Sequence, residues 1–429
     1  MECSWEDGRS VDTRQRRKRS GLACPARFGL IVMPDGTPSR TQAGASHLKI
    51  VVLGGGRMGH AIARDLSTDE DLSVTVVDLD PMALERLNDL PVKTAPADLS
   101  DQDNVARVVA GADLVVGALP GFLGYRVLEA VLEEGRPVVD ISFAPEDTLE
   151  LDDLARSAGV PCLVDCGLAP GLTNLILGRL EEALDETHSF RCLVGSLPVE
   201  RDWPWEYKAP FSPRDVIQEY VRPARLRRGG EEVTLPALSE VELVHFPGLG
   251  TLEAFNTDGL RTLLRTSRTP NMVEKTMRYP GHAERMRVLR DGGFFSDNPV
   301  QVESGSVRPR DLTEALLFEA WHFAEGEPDL TVARVAVDGV AGGEAVRHTF
   351  NLLDYYNPDT ETSSLARTTG YTCTAMARLV ARGIWKEPGV APAEVVGRNE
   401  ECFQFVLRHL EERDVHLFHR EEALGSPTR

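Results

Sequence analysis

The 429-residue sequence predicts an α/β protein, a doubly wound parallel sheet joined to a second domain of mixed, partly antiparallel α/β structure. Three observations predict it. Short apolar runs alternate with helical patterns from His47 onward, as in a parallel sheet covered on both faces. A glycine-rich turn, Gly54-Gly55-Gly56-Arg57-Met58-Gly59, separates the first run from the first helical pattern. Beyond Ala183 the rhythm breaks, and Gly229-Gly230 and Gly342-Gly343 each sit between strand-like runs, which reads as two antiparallel hairpins.

Lys49 to Leu53 is apolar apart from its first residue and reads as a buried strand, followed by a helix from Gly59 to Leu66. Ser73 to Asp78 is a second strand, and Pro81 opens a helix to Leu87, since proline at the first helical position costs no hydrogen bond. Ser100 to Asp103 has the spacing of a capping box ahead of a helix through Val109, and Leu114 to Ala118 is an all-apolar strand. Strands at Pro137 to Asp140 and Pro161 to Asp165 alternate with helices reaching Leu132 and Ala158. A helix from Thr173 to Ala183 leads into the second domain. There Ser212-Pro213 with Asp215 starts one helix and Asp311 to Phe323 forms another. Helices at Ser364 to Ala381 and Arg398 to Glu412 end the chain and are expected to pack back on the first domain. The expected organisation is a disordered extension at 1–47, a dinucleotide-binding domain at 48–170, a substrate and dimerisation domain at 171–355, and C-terminal helices at 356–429.

Charge narrows the partners. The chain carries 47 Lys+Arg against 67 Asp+Glu. Residues 1–47 hold 8 basic and 5 acidic side chains, which leaves 39 basic against 62 acidic in the rest. So acidic a body disfavours nucleic acid and anionic membranes as principal partners. No apolar run approaches the ~20 residues that span a bilayer. The basic cluster Arg14 to Arg19 and the apolar stretch Phe28 to Met33 imitate a secretory signal, but Arg27 interrupts the pattern. Seven cysteines without a Cys-x-x-Cys pair argue against a disulfide framework or a zinc site, and for a reducing compartment, the cytoplasm.

The glycine-rich turn fits G-x-G-x-x-G, and Asp78 follows Gly59 by 19 residues at the end of the next strand. In a Rossmann domain Gly54 permits the tight turn, Gly56 lets pyrophosphate approach the backbone, and Gly59 lets helix and strand pack closely. Pyrophosphate would rest on the N–H groups of the helix N-terminus, which Arg57 and Met58 begin. Asp78 would accept the ribose hydroxyls, and Leu79 and Asp80 place nothing basic there for a 2′-phosphate, so the expected cofactor is NAD. Asp98 is a candidate for the adenine side or a plain turn residue. Ala118, Leu119 and Pro120, where the fourth strand ends, would line the nicotinamide half.

Asp140 and Asp165 end successive strands at the edge where such sheets bind ligand. Either could exchange a proton with an amine substrate, or cap the helix that follows. Lys208 is a third candidate base. Arg278 and Arg261 could give a substrate carboxylate a bidentate guanidinium, with His282 in the same polar cluster as Arg278. Each has a plainer reading: Lys208 as a surface lysine, Arg261 on a solvated helix face, His282 as a helix cap. Trp203 and Trp205 read as core or interface fillers, and Cys166 as a buried strand residue close to the proposed reaction centre.

Five segments together resemble one family: Gly-Leu-Ala-Pro-Gly-Leu-Thr-Asn (167–174), Tyr-Lys-Ala-Pro-Phe-Ser-Pro-Arg-Asp-Val (207–216), Glu-Ala-Phe-Asn-Thr-Asp-Gly-Leu-Arg-Thr-Leu-Leu (253–264), Met-Arg-Tyr-Pro-Gly-His (277–282) and Ala-Arg-Thr-Thr-Gly-Tyr-Thr (366–372). The sequence is similar to the saccharopine dehydrogenase family from about Leu48 to Leu417, and within it most to the NAD-dependent L-lysine 6-dehydrogenase group. The resemblance implies a homo-oligomeric enzyme acting on an amino acid, in which hydride leaves a nitrogen-bearing carbon for NAD and water hydrolyses the imine. For lysine that is the ε-carbon, giving ammonia and a semialdehyde that cyclises. The saccharopine branch runs this chemistry on a glutamate–lysine adduct, and a catalytically silent NAD(H)-binding regulator is the reading from another class.

Overall fold

The computed structural model describes residues 47–425, and the extension expected at 1–47 lies, apart from His47, outside the described residues. The first sheet has seven parallel strands: β1 (Leu48–Leu53), β2 (Leu72–Asp78), β3 (Lys93–Pro96), β4 (Leu114–Gly117), β5 (Val138–Asp140), β6 (Pro161–Val164) and a late strand, Gly389–Pro392. Their order is Gly389–Pro392, β6, β5, β4, β1, β2, β3. The order reverses between β4 and β1, and such a switch point leaves a crevice at the carboxyl ends of the strands. Leu53 pairs with Val77 on one side and Gly117 on the other, so the turn after Leu53 opens into that crevice. β1, β4, β5 and β6 are almost wholly buried apolar runs, as a sheet covered on both faces requires.

The second sheet is nine-stranded and mixed. Its main path runs Glu242–Phe246, Gly250–Asn256, Asn271–Arg278, Glu186–Pro198, Asp329–Ala341, Glu344–Tyr355 and Leu417–Ala423, with Ala224–Arg228 and Glu231–Leu235 attached to Asn271–Arg278. Only Asn271–Arg278 and Glu186–Pro198 are parallel to each other. Both double-glycine turns are hairpins with positive φ at both residues, +59° and +87° at 229–230 and +59° and +83° at 342–343. Right-twisted strands want that turn, and a side chain would resist it.

Several expectations change in detail. The helix after β3 is capped by Asp101, whose carboxylate accepts from Asp103 N–H, while Ser100 donates to Asp98. The last segment is not helical throughout: Gly389–Pro392 completes the first sheet beside β6, and Leu417–Ala423 closes the second. The long helix Ser364–Ala381 packs on the helix Arg57–Leu66 that follows the glycine-rich turn. Trp203 is 79% exposed and fills no core, whereas Trp205 meets Trp321 edge-on at 6.4 Å.

Candidate active site

One cavity of about 770 Å³ runs from the glycine-rich turn, over the carboxyl ends of β4, β5 and β6, to the face of the second sheet. Gly54 and Gly56, Arg57 and Met58, Asp78, Asp98, and Ala118, Leu119 and Pro120 all line it. Gly54 holds φ +104°, and a Cβ there would lie 2.5 Å from the Ala118 carbonyl oxygen. Gly59 lies outside the lining and serves packing, since its Cβ would stand 1.8 Å from the Gly54 oxygen. A Cβ on Gly56 would meet nothing within 4 Å, and Gly56 caps the helix Arg57–Leu66 with no side chain. An uncapped helix start facing clear space is where pyrophosphate fits.

Asp78 ends β2 and accepts from Gly55 N–H (2.6 Å) and Asp80 N–H (2.8 Å), leaving lone pairs for a ribose hydroxyl. These residues fit a nicotinamide dinucleotide. Arg57 begins the helix as expected and lines the cavity, its Nη2 donating to the Phe323 carbonyl at 3.3 Å. One expectation needs correction. Arg86 lines the same end as Asp78, so a basic group is at hand after all. Asp98 is both a lining residue and a turn residue, its carboxylate held by the Ser100 N–H and hydroxyl, which lower its pKa.

The carboxylates expected to reach the reaction do not line the cavity. Asp140 is buried, accepts from Ser142 N–H (2.9 Å) and Oγ (3.0 Å), and lies against Gly117. Burial pushes its carboxyl up to about 7. Asp165, also buried and held at φ +53°, turns below the cleft toward Thr262 Oγ1 (3.4 Å) and Arg261. Burial raises its pKa against the pull of Arg261. β5 ends at Asp140 as expected and β6 ends at Val164, one residue short of Asp165, and each side chain turns into the protein rather than into the crevice. Lys208 is an ion-pair partner of Glu327 and does not line the cavity either.

Arg261 is no solvated residue: Nη1 donates to the Ala144 carbonyl at 2.5 Å and the guanidinium lies 4.5 Å from the centre of the Phe143 ring. It joins the two domains under the cleft. His282 sits inside the helix His282–Asp291 rather than capping it, with Nε2 2.9 Å from the Tyr220 hydroxyl. Burial holds its pKa well below the usual range, with Arg278 adding to the effect. That helix start is instead satisfied by the Glu253 carboxylate, which accepts from Gly281 and Ala283 N–H. Cys166 is buried with its thiol pushed well up by burial, which leaves no reactive thiolate.

Of the expected substrate-binding residues, Arg278 alone reaches the cavity. Its fork is occupied: Nη2 donates to Glu219 (2.9 Å), Nη1 donates to the Met277 carbonyl (3.0 Å), and the guanidinium stacks 4.6 Å from the Tyr207 ring centre. Burial opposes its charge, but Tyr207 and Glu219 outweigh burial and raise its pKa.

The second-domain wall carries groups the sequence reading passed over. Glu274, on Asn271–Arg278, lines the cavity and accepts from Thr257 Oγ1 at 2.6 Å, with Thr276 Oγ1 2.8 Å from that hydroxyl. Burial pushes Glu274 up to about 8, and Glu219 and Asp258 add to the shift. Asp215, Gln218, Glu219 and Arg222 line the cavity from the helix Pro213–Val221 and its cap. Their spacing of 3, 4 and 7 residues makes one polar stripe, a signal that was available in the sequence. Among the described residues, no group of three or more His, Cys, Asp or Glu could hold a metal, and no helix is long and apolar enough to cross a membrane.

Two family models match the chain, the saccharopine dehydrogenase NADP binding domain over residues 50–163 and the saccharopine dehydrogenase C-terminal domain over residues 167–415. The chain is similar to saccharopine dehydrogenase (NADP(+), L-glutamate-forming) of Schizosaccharomyces pombe, 23% identical over 418 residues, covering 80% of this chain and 92% of that protein. The same enzyme of Pyricularia oryzae is 28% identical over 267 residues, covering 59% of each. Alpha-aminoadipic semialdehyde synthase of Arabidopsis thaliana is 25% identical over 240 residues, which is 51% of this chain and 22% of that protein. The solved apo saccharopine dehydrogenase (L-Glu forming) of Saccharomyces cerevisiae superposes with a TM-score of 0.73 at 19% identity, covering 88% of this chain and 100% of that one, and so shares the fold.

Proposed function

The chain belongs to the saccharopine dehydrogenase family, and from that premise we propose that it is an NAD-dependent oxidoreductase that deaminates L-lysine at its ε-carbon. The observation that carries this reading is the charge of the second-domain wall. Asp215, Glu219, Asp258 and Glu274 face the cavity there against Arg222 and Arg278; Arg278 already pairs with Glu219, and Asp258 pairs with Arg225 behind the wall. Such a wall suits a cationic diamine with one carboxylate. The three carboxylates of a glutamate–lysine adduct would find in that wall a single guanidinium without a carboxylate partner among the described residues, that of Arg222.

An ammonium cannot release hydride, so its proton must leave first. Glu274 is the group in place to take it: it lines the cavity, Thr257 orients it, and a carboxyl at about 8 stands near the working pH. The nicotinamide, when bound, accepts hydride from the ε-carbon. The imine left behind adds water and loses ammonia, and the aldehyde that forms cyclises onto the α-amine. NAD is preferred over NADP because the Asp78 carboxylate stands where a 2′-phosphate would lie. The five described cysteines are all free, which suits a reducing compartment such as the cytoplasm.

The similar proteins of Schizosaccharomyces pombe and Pyricularia oryzae are NADP(+)-linked saccharopine dehydrogenases, which favours a second reading, NADP-linked saccharopine oxidation. One experiment separates them: purified protein with NAD or NADP and either lysine or saccharopine, following reduced cofactor and ammonia. NADH with ammonia from lysine supports the proposal. Reduced cofactor without ammonia from saccharopine overturns it in favour of the relatives' reaction, and tight NADH binding without turnover on either leaves a regulator.

A further inference from the structure

We infer that Thr257 and Thr276 are positioning residues for Glu274: a chain of two hydroxyls fixes one oxygen of its carboxyl, Oε2, and leaves the other, Oε1, for the substrate amine. The inference rests on the reading of Glu274 as the group that takes the amine proton. All three residues are buried and all three line the cavity. Thr257 Oγ1 lies 2.6 Å from Glu274 Oε2 and 2.8 Å from Thr276 Oγ1. A threonine hydroxyl has one proton to donate. With Glu274 ionised, Thr257 gives that proton to Oε2, so Thr276 must donate to Thr257, and both O–H groups point toward the carboxylate. Bonds to an ionised acceptor are the stronger ones, so the chain favours the form of Glu274 that can accept a proton. Among the described residues Thr257 is the only hydrogen-bond donor to this carboxyl, and Oε1 is left without one.

The loop that carries Thr257 is pinned on both sides. Thr257 follows the strand Gly250–Asn256, and Asp258 beside it accepts from the Arg225 backbone N–H at 3.1 Å and from Arg225 Nε and Nη2, each at 2.9 Å. Three residues further on, Arg261 donates to the Ala144 carbonyl of the first domain. A loop tied at both ends holds a hydroxyl where a free one would wander. Gly259 closes against the carboxyl, since a Cβ there would lie 2.4 Å from Glu274 Oε2 and 2.5 Å from its Cδ. The φ of Gly259 is outside the left-handed region, so its missing side chain serves the fit to Glu274 rather than a turn. The other charged and titratable groups facing Glu274 are Glu219 from the helix Pro213–Val221, Asp258 from this loop, Arg278 from its own strand and Cys192, opposite it on Glu186–Pro198. Glu219 and Asp258 oppose its charge and Arg278 favours it, but all act through space, whereas Thr257 alone sets where the carboxyl oxygens lie.

The test uses the full chain and reads Glu274 directly, by infrared difference titration of the protonated carboxyl band that Glu274→Gln removes, beside the pH profile of kcat/KM for lysine with NAD. Thr257→Val keeps the shape and removes the hydroxyl. It should raise the Glu274 midpoint by about one pH unit, because a hydrogen bond to a charged acceptor favours the ionised form about tenfold. kcat/KM should then fall about tenfold at pH 7 and return to within about threefold of the parent at pH 10. Thr257→Ser should restore both to within about twofold. Gly259→Ala, which pushes Oε2 off Thr257 without straining the backbone, should raise the midpoint as Thr257→Val does. Thr276→Val should move it in the same direction by less, about threefold in kcat/KM at pH 7. A midpoint that neither Thr257→Val nor Gly259→Ala moves overturns the inference, as does a loss of the same size at every pH that Thr257→Ser does not recover. The lysine reading fails separately: if lysine yields no NADH while the infrared midpoint moves as expected, that reading falls and the hold of the two hydroxyls on Glu274 stands.

Discussion

Asp165 and Arg261 face each other beneath the cleft, Oδ1 and Nη2 3.8 Å apart, and both residues hold φ at +53°. The pair links the end of β6 to the second domain, and neither member lines the cavity. Asp165→Asn keeps a side chain that tolerates this backbone, so turnover on lysine should stay within about threefold of the parent. Arg261→Met strands a buried carboxylate and should lower stability by up to about 3 kcal/mol, the low end for a broken buried pair because 3.8 Å is a long one. Steady-state rates and denaturant melts of both variants check this. A thousandfold loss of kcat in Asp165→Asn would return that residue to the chemistry.

Under the proposed mechanism Glu274 is expected to set a pH limb. Its carboxyl is raised to about 8 by burial, so the base form grows as pH rises. kcat/KM for lysine should climb tenfold per unit below about 8 and level off above it, and Glu274→Gln should lose about 10²–10⁴-fold and flatten the limb. Rates from pH 6 to 10 measure it, and a limb that survives the substitution would move the base elsewhere. Stability runs the other way: an acid raised on folding makes the native state bind more protons, so this group's contribution falls as pH rises from its unfolded value toward 8.

Much of this was legible in the sequence where the cause is local. The glycine-rich turn needs its glycines because the backbone passes 1.8 Å from where a Gly59 Cβ would be, and the double-glycine hairpins need positive φ. What failed depends on direction and long-range pairing. Asp140 is the last residue of β5, still paired with Gly117, and Asp165 lies one residue past β6 at positive φ; where a strand's alternation runs out, no periodicity says where a side chain points, and both turn inward. Gly389–Pro392 is four residues ending in proline, and only its register with β6 makes it a strand. Glu274 was overlooked because a carboxylate in a strand reads as a solvated position until the cavity behind it is seen.

Asp78 is the residue expected to decide between cofactors under the proposed reading. Its carboxylate lines the adenosine end of the cavity together with Arg86, one group repelling a 2′-phosphate and the other attracting it. The expected outcome is a kcat/KM for NAD at least about 100-fold above that for NADP, narrowed about tenfold by Asp78→Asn, which keeps an acceptor for Gly55 N–H. Arg86→Ala should leave NAD use within about threefold of the parent. Preference for NADP that collapses in Arg86→Ala would reverse the assignment.

Asp65, on the helix that the glycine-rich turn opens, anchors the end of the chain to the first domain. It accepts from Arg378 Nη1 at 2.6 Å and Arg413 Nε at 2.5 Å, and lies 3.6 Å from His409. Burial works against its charge, but His409, Arg378 and Arg413 outweigh burial and hold the carboxyl well below its usual range. The folded-state pKa is depressed, so the stabilisation is complete above about 4, the unfolded value, and is lost as pH falls from there toward the folded one. Asp65→Asn should cost about 3–5 kcal/mol at pH 7, because Arg378, 2% exposed at its side chain, would keep Asp69 alone as a carboxylate partner. The gap between variant and parent should narrow at pH 3, where the unfolded parent takes up a proton on Asp65 that the folded parent, its carboxyl held acidic, does not. Denaturant unfolding at pH 7, 5 and 3 measures it, and a gap that stays constant down to pH 3 would mean that the loss comes from packing rather than from the ion-pair cluster.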